Sequence, residues 1–252
     1  MATNGVQTMR KKMVMIFILD GSRSMNENYK MDALNESMRN AIGIAKDFAA
    51  EVVEADIEVA VLLFGTGTDG NQCKWLYGGL QPVCSFVWED QVASGWAPMA
   101  DAIREVNRVM HRSEFMGCPS GSLAPVVVMM SDGISFTPSG TMASDLNDTE
   151  DAINEISRNL WFINGIRAAI AIGDDADRDI LAKFTGDSRT VFDAHSSDRL
   201  RDVIEFIALY EDRNWARPRI KPGDDEAQNR FVEASEEEKE DDEYLNSTGW
   251  TV

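Results

Sequence analysis

The sequence predicts an α/β fold: a doubly wound, mainly parallel central sheet with helices on both faces and one antiparallel edge strand. Three observations carry that expectation. First, continuous apolar runs recur at residues 13–19 (MVMIFIL), 57–64 (IEVAVLLF), 125–130 (PVVVMM) and 166–172 (IRAAIAI), with a weaker one at 190–192. Such runs, without polar alternation, fit strands buried on both faces. Second, the segments between them step by three and four. Met31, Leu34, Met38, Ile42, Ala45 and Ala49 mark one long amphipathic helix, Ile103, Val106 and Met110 a second over 99–110, and Ile153, Ile156 and Leu160 a third over 152–162. Leu200, Val203, Ile204 and Ile207 mark a last one over 198–210. Third, strands and helices alternate, which requires crossover connections and therefore parallel neighbours. Residues 65–97 break the alternation with glycines and scattered aromatics (Trp75, Tyr77, Phe86, Trp88), and this is where the antiparallel edge strand is expected.

The 252 residues carry 43 Asp plus Glu against 24 Lys plus Arg, a formal charge of -19. An acidic chain of this kind is repelled by nucleic-acid phosphates and anionic membrane surfaces, so neither is expected as a partner. Cations and basic protein surfaces are favoured instead. Part of the excess is local: residues 211–252 hold 13 acidic and 6 basic residues, and Pro218, Pro222 and Gly223 break the pattern before the acidic run 234–243. The chain thus divides into an N-terminal arm (1–12), a domain (13–210) and an acidic, disordered tail (211–252). Tyr244, Leu245 and Trp250 leave open a docking role for that tail. The odd count of three cysteines (Cys73, Cys84, Cys118) excludes a complete disulfide framework. Cys73 and Cys84 could close a small loop, but free thiols in a reducing compartment are the simpler reading. The first apolar run is too short to span a membrane and ends in Asp20 rather than a cleavage site, so a cytoplasmic protein is expected.

The strongest chemical signal is Asp20-Gly21-Ser22-Arg23-Ser24-Met25, directly after the first buried strand. Ligands of parallel sheets bind at the carboxyl ends of the strands. An Asp-x-Ser-x-Ser turn there can point three oxygens at one spot, and hard oxygen donors suit Mg²⁺ or another divalent cation. Ser131-Asp132-Gly133 ends a second buried strand, so Asp132 brings another carboxylate to the same edge. The competing use of Asp20 and Ser22 is to cap the helix that follows. Asp174, Asp175 and Asp177, after a third strand, either widen the acidic rim or favour a helix N-terminus.

A buried strand ending in DxSxS, a long helix, and a later strand ending in Ser-Asp-Gly resemble the von Willebrand factor type A domain over about residues 14–210. The stretch 169–181 (AIAIGDDADRDIL) is similar to the bacterial TerY-like branch, associated with tellurium resistance and stress. The resemblance implies a metal-ion-dependent adhesion site with Ser22 and Ser24 as direct ligands and Asp20 and Asp132 bonded directly or through water. It also implies protein partners: a protein kinase, a PP2C-type phosphatase or tellurium-resistance proteins. One position departs from the family pattern, in which a third loop supplies a Thr ahead of a helix. Here Ser94-Gly95-Trp96-Ala97-Pro98-Met99 puts Ala97 at that place. A methyl group cannot donate to a metal, so Ser94 compensates, or two loops suffice, or the site is weak.

Three other chemistries are set aside. Residues 65–70 match GxGxxG, but NQCKWLYGG follows instead of a helix. A haloacid-dehalogenase-type phosphatase needs an Asp where Ser22 stands. No GxSxG elbow exists, and neither His111 nor His195 sits in a recognisable catalytic loop. The expectation is a non-catalytic protein-interaction module that captures a partner's carboxylate through the cation. The alternative is a regulatory adaptor for a kinase, phosphatase or ATPase, acting through its acidic tail.

Overall fold

A computed structural model describes residues 10–51, 55–67, 72–118 and 120–194. The first apolar run lies inside strand β1 (Lys11–Asp20), whose eight residues from Met13 onward are buried. Its two faces enter different cores. Met13, Met15, Phe17 and Leu19 share one core with Met31, Leu34, Met38 and Ile42 of helix α1 (Lys30–Glu51). Strand β2 (Ala55–Thr66) runs parallel beside β1, from Lys11 opposite Ala55 to Asp20 opposite Phe64. On the opposite face, Val14, Ile16 and Ile18 share a second core with Ile103, Val106 and Met110 of α2 (Met99–Met110). Burying both faces removes the need for polar alternation, and each large apolar side chain taken fully from water contributes roughly 1.5–3 kcal/mol.

The irregular stretch supplies two short strands, β3 (Gln72–Trp75) and β4 (Gln81–Pro82), both antiparallel to β2. The expected edge strand is therefore present. Trp75 packs on Phe115 in the short helix α3 (Ser113–Met116), with ring centroids 5.4 Å apart. On the other side of β1 lies β5 (Val126–Ser131), parallel, with Leu19 opposite Met130.

After β5 the chain crosses to the second face as α4 (Met142–Ile156), followed by the single-turn helix α5 (Leu160–Ile163). The helix expected over 152–162 is thus two helices. Its true start is set by a capping box between Thr141 and Ser144, ahead of a first turn with no buried apolar residue. Strand β6 (Ile166–Ala171), helix α6 (Arg178–Thr185) and strand β7 (Val191–Asp193) complete the described fold. The sheet order is β3-β2-β1-β5-β6-β7, with β4 also on β2. The predicted doubly wound architecture is observed. The three cysteines are free, and Cys73 has its thiol pushed up to about 12 by burial and by the charges of Asp101 and Glu105. The helix expected over 198–210, His195 and the tail over 211–252 lie outside the described residues.

One consequence of this order positions the site. β1 and β5 are neighbours, but the chain leaves β1 toward the face of α1 and leaves β5 toward the face of α4. Loops that diverge in this way open a crevice at the carboxyl edge, where ligands of open α/β sheets bind.

Candidate metal site

Asp20 and Asp132 flank that crevice, and both are 0% exposed. Sequence position alone brings them there: Asp20 ends β1, and Asp132 follows the last residue of β5. Asp20 Oδ1 accepts from the Ser22 N–H at 2.9 Å, and its Oδ2 accepts from the Ser131 hydroxyl at 2.6 Å. Ser22 is buried, and its hydroxyl lies 3.0 Å from that of Ser24. Burial, followed by the charge of Asp132, pushes the Asp20 carboxyl up to about 7, although the hydrogen bonds from Ser131 and Ser22 pull the other way. The four predicted residues, Asp20, Ser22, Ser24 and Asp132, thus stand on two adjoining loops, with the two carboxylates close enough to repel.

The capping alternative fails for α1, because that helix begins at Lys30, well beyond the motif. Ser22 does precede a 3-10 turn (Arg23–Asn26), but its side chain makes no capping bond there. Gly21 allows the turn: its N–H donates to Phe64 O at 3.0 Å, and a Cβ would stand 2.8 Å from that same carbonyl.

The third loop is fixed by backbone contacts to both others. Arg23 N–H donates to Gly95 O at 2.8 Å, and Ser94 N–H donates to Gly21 O at 2.9 Å. Ala97 is buried, donating to Phe136 O at 2.7 Å and accepting from Phe136 N–H at 3.1 Å; the Ser135 hydroxyl also donates to Ala97 O. Ala97 therefore holds the predicted position in the loop without an oxygen on its side chain. Ser94 is exposed. Trp96 and Phe136, with ring centroids 5.4 Å apart, form an aromatic patch on the second and third loops.

Three further residues at this edge were not among the predicted ligands. Ser131 was visible only as part of Ser-Asp-Gly; its hydroxyl links the two carboxylate loops, accepting from Gly133 N–H while donating to Asp20. Lys30, 2% exposed, places its ammonium 3.2 Å from Asp132 Oδ2 and 2.8 Å from Asp175 Oδ1. Burial pulls the Lys30 pKa down, but its bonds to Asp175 and Asp132 outweigh that, and the net shift is upward. Asp175 is held below the usual carboxylate range chiefly by the bond from Lys30. Of the acidic trio, Asp175 alone joins the cluster through Lys30. Asp177 caps α6, accepting from Asp179 and Ile180 N–H.

The donor set fits a hard divalent cation. Two buried carboxylates and two hydroxyls stand on adjoining loops, and Asp20 meets only neutral donors among the described residues. Among those residues no three His, Cys, Asp or Glu side chains are grouped so that they could hold a metal ion by themselves.

No family profile matches the chain, and no curated protein matches it. Solved structures do match. The vWF domain of the type V pili tip protein Mfa5 from Porphyromonas gingivalis aligns with a TM-score of 0.52 at 11% identity, covering 84% of this chain and 99% of that one. Manganese-loaded TRAP from Plasmodium vivax gives 0.52 at 10% identity, over 77% of this chain and 73% of that one. The pilus adhesin SpaC from Lactobacillus rhamnosus GG gives 0.51 at 13%, covering 81% of this chain, which spans only 31% of the adhesin. The fold is similar to that of the Mfa5 vWF domain. Among the described residues, no helix is long and apolar enough to cross a membrane.

Proposed function

We propose that this chain is a non-catalytic protein-interaction module whose Asp20, Ser22, Ser24 and Asp132 hold a divalent cation. One observation carries the reading: two fully buried carboxylates face the crevice between β1 and β5, and Asp20 has no cationic partner there among the described residues. Uncompensated buried charge is costly, and a site that concentrates it is built for a counter-ion. The cation supplies an open coordination position for a partner's Asp or Glu. Asp20 and Ser22 shape the turn, Ser131 orients Asp20, and the third loop is locked by its backbone bonds to the other two. Trp96 and Phe136 give the partner an apolar surface to pack on beside the polar crevice.

Magnesium is the expected ion, the cytoplasm the expected compartment, and a stress-response partner such as a kinase, a PP2C-type phosphatase or a tellurium-resistance protein the expected class. The ion follows from the hard oxygen donors and the compartment from cysteines read as free thiols; the partner class rests on the resemblance of residues 169–181 to the TerY-like branch. The test is capture of partners from source-cell lysate by the full chain, with and without chelator, beside Asp20→Ala/Ser22→Ala. Partners lost to both chelator and double substitution support the reading. Partners retained under both would contradict it.

A further inference from the structure

Lys30 is an unexpected residue at its position. A cation in the first turn of a helix opposes the helix dipole, and a buried ammonium loses its hydration. Both costs are borne at the first residue of α1, where the side chain is 1% exposed. The surroundings are built to admit it. Gly173, in the loop after β6, has φ +93, and a Cβ there would stand 2.5 Å from Lys30 Cε, so a side chain at 173 would block the lysine stem. The ammonium then lies between Asp132, which is fully buried, and Asp175, whose side chain is 56% exposed. Lys30 thereby ties α1 to the loops after β5 and β6. It also occupies the same Asp132 carboxylate that the proposed cation would use, while Asp20 meets only a hydroxyl and a backbone amide.

We infer that Lys30 is a built-in counter-ion of the crevice: it holds Asp132 in place without metal, and its charge weakens the hold of the site on a divalent cation. The inference rests on the reading of Asp20 and Asp132 as a cation pocket. A divalent ion sharing Asp132 must share it with a fixed positive charge, and like charges at such separations in a partly desolvated crevice repel by more than they do in water. The site is therefore preassembled and loosely metallated in the free protein.

The experiment is calorimetric titration of the full-length chain with Mn²⁺ at fixed ionic strength, for wild type, Lys30→Met, Lys30→Gln and Lys30→Arg. Thermal unfolding in EDTA and in excess Mn²⁺ accompanies it. Removing the charge should tighten Mn²⁺ binding about tenfold or more, and Lys30→Arg, which keeps the charge, should not tighten it. The Lys30→Met protein should melt below wild type in EDTA and gain more from Mn²⁺ than wild type does. Should Lys30→Met fail to fold without metal, Lys30→Gln, which can still bond Asp132, carries the affinity comparison. Equal or weaker binding by the folded neutral variants overturns the role of Lys30 and leaves the proposed function standing. Binding by those variants but not by wild type supports that role and defeats metal-dependent capture. Binding by none overturns both.

Discussion

Asp20 and Asp132 are both fully buried at the ends of neighbouring strands, yet their charges are compensated in different ways. Asp132 has an ammonium within 3.2 Å; Asp20 has a hydroxyl, an amide, and a pKa raised to about 7. Among the described residues, one half of the crevice carries its own cation and the other meets only neutral donors. The contrast is one way for a parallel sheet to hold two buried carboxylates at its switch point: one is paired with an ammonium, and the other meets only neutral donors among the described residues.

The largest test of this asymmetry is to neutralise each half in turn. Asp132→Ala strands a buried ammonium with only the half-exposed Asp175, and breaking such a pair should cost about 3 kcal/mol in urea unfolding. Asp20→Asn removes a charge that meets only neutral donors among the described residues, so in EDTA above pH 7 it should leave stability unchanged or raised. Equal losses from both would mean that the two halves are compensated alike.

A second effect follows from protonation. Unfolded, Asp20 ionises near its ordinary value of about 4; folded, it does so at about 7. Between those values the folded protein keeps a proton that the unfolded chain has released. The contribution of Asp20 to stability is thus fully present below pH of about 4 and is lost as pH rises through about 7. Unfolding midpoints of the metal-free chain, measured across that window, should fall more steeply for wild type than for Asp20→Asn. The smallest effect belongs to Asp175→Asn. That carboxylate is 56% exposed, and screening limits its bond to Lys30 to about 1 kcal/mol or less. A loss as large as that of Asp132→Ala would move the anchor of Lys30 from the buried to the exposed carboxylate.

Much of this was legible in the sequence, and the rest was hidden for identifiable reasons. The buried strands announced themselves because a strand covered on both faces has no polar alternation, as β1 illustrates. The fold resemblance and the residues at the carboxyl edge followed from DxSxS and Ser-Asp-Gly. The start of α4 was obscured because its first turns expose Met142 and Leu146, leaving little apolar periodicity before Ala152. Lys30 was invisible for a deeper reason. A lysine at a helix start normally reads as solvated, and only the three-dimensional meeting of the loops after β5 and β6 gives its ammonium two carboxylates. Ala97 was identified as lacking a donor, but the backbone bonds to Phe136 that hold its loop in place carry no sequence signal.

The central claim is that the crevice between β1 and β5 holds a divalent cation. The direct measurement is equilibrium titration of the full chain with Mn²⁺, with Asp20→Ala/Ser22→Ala as its control. Saturable binding at a single site, abolished in the folded double variant, is the predicted result. No saturable binding by wild type, or binding that survives the double substitution, would contradict it.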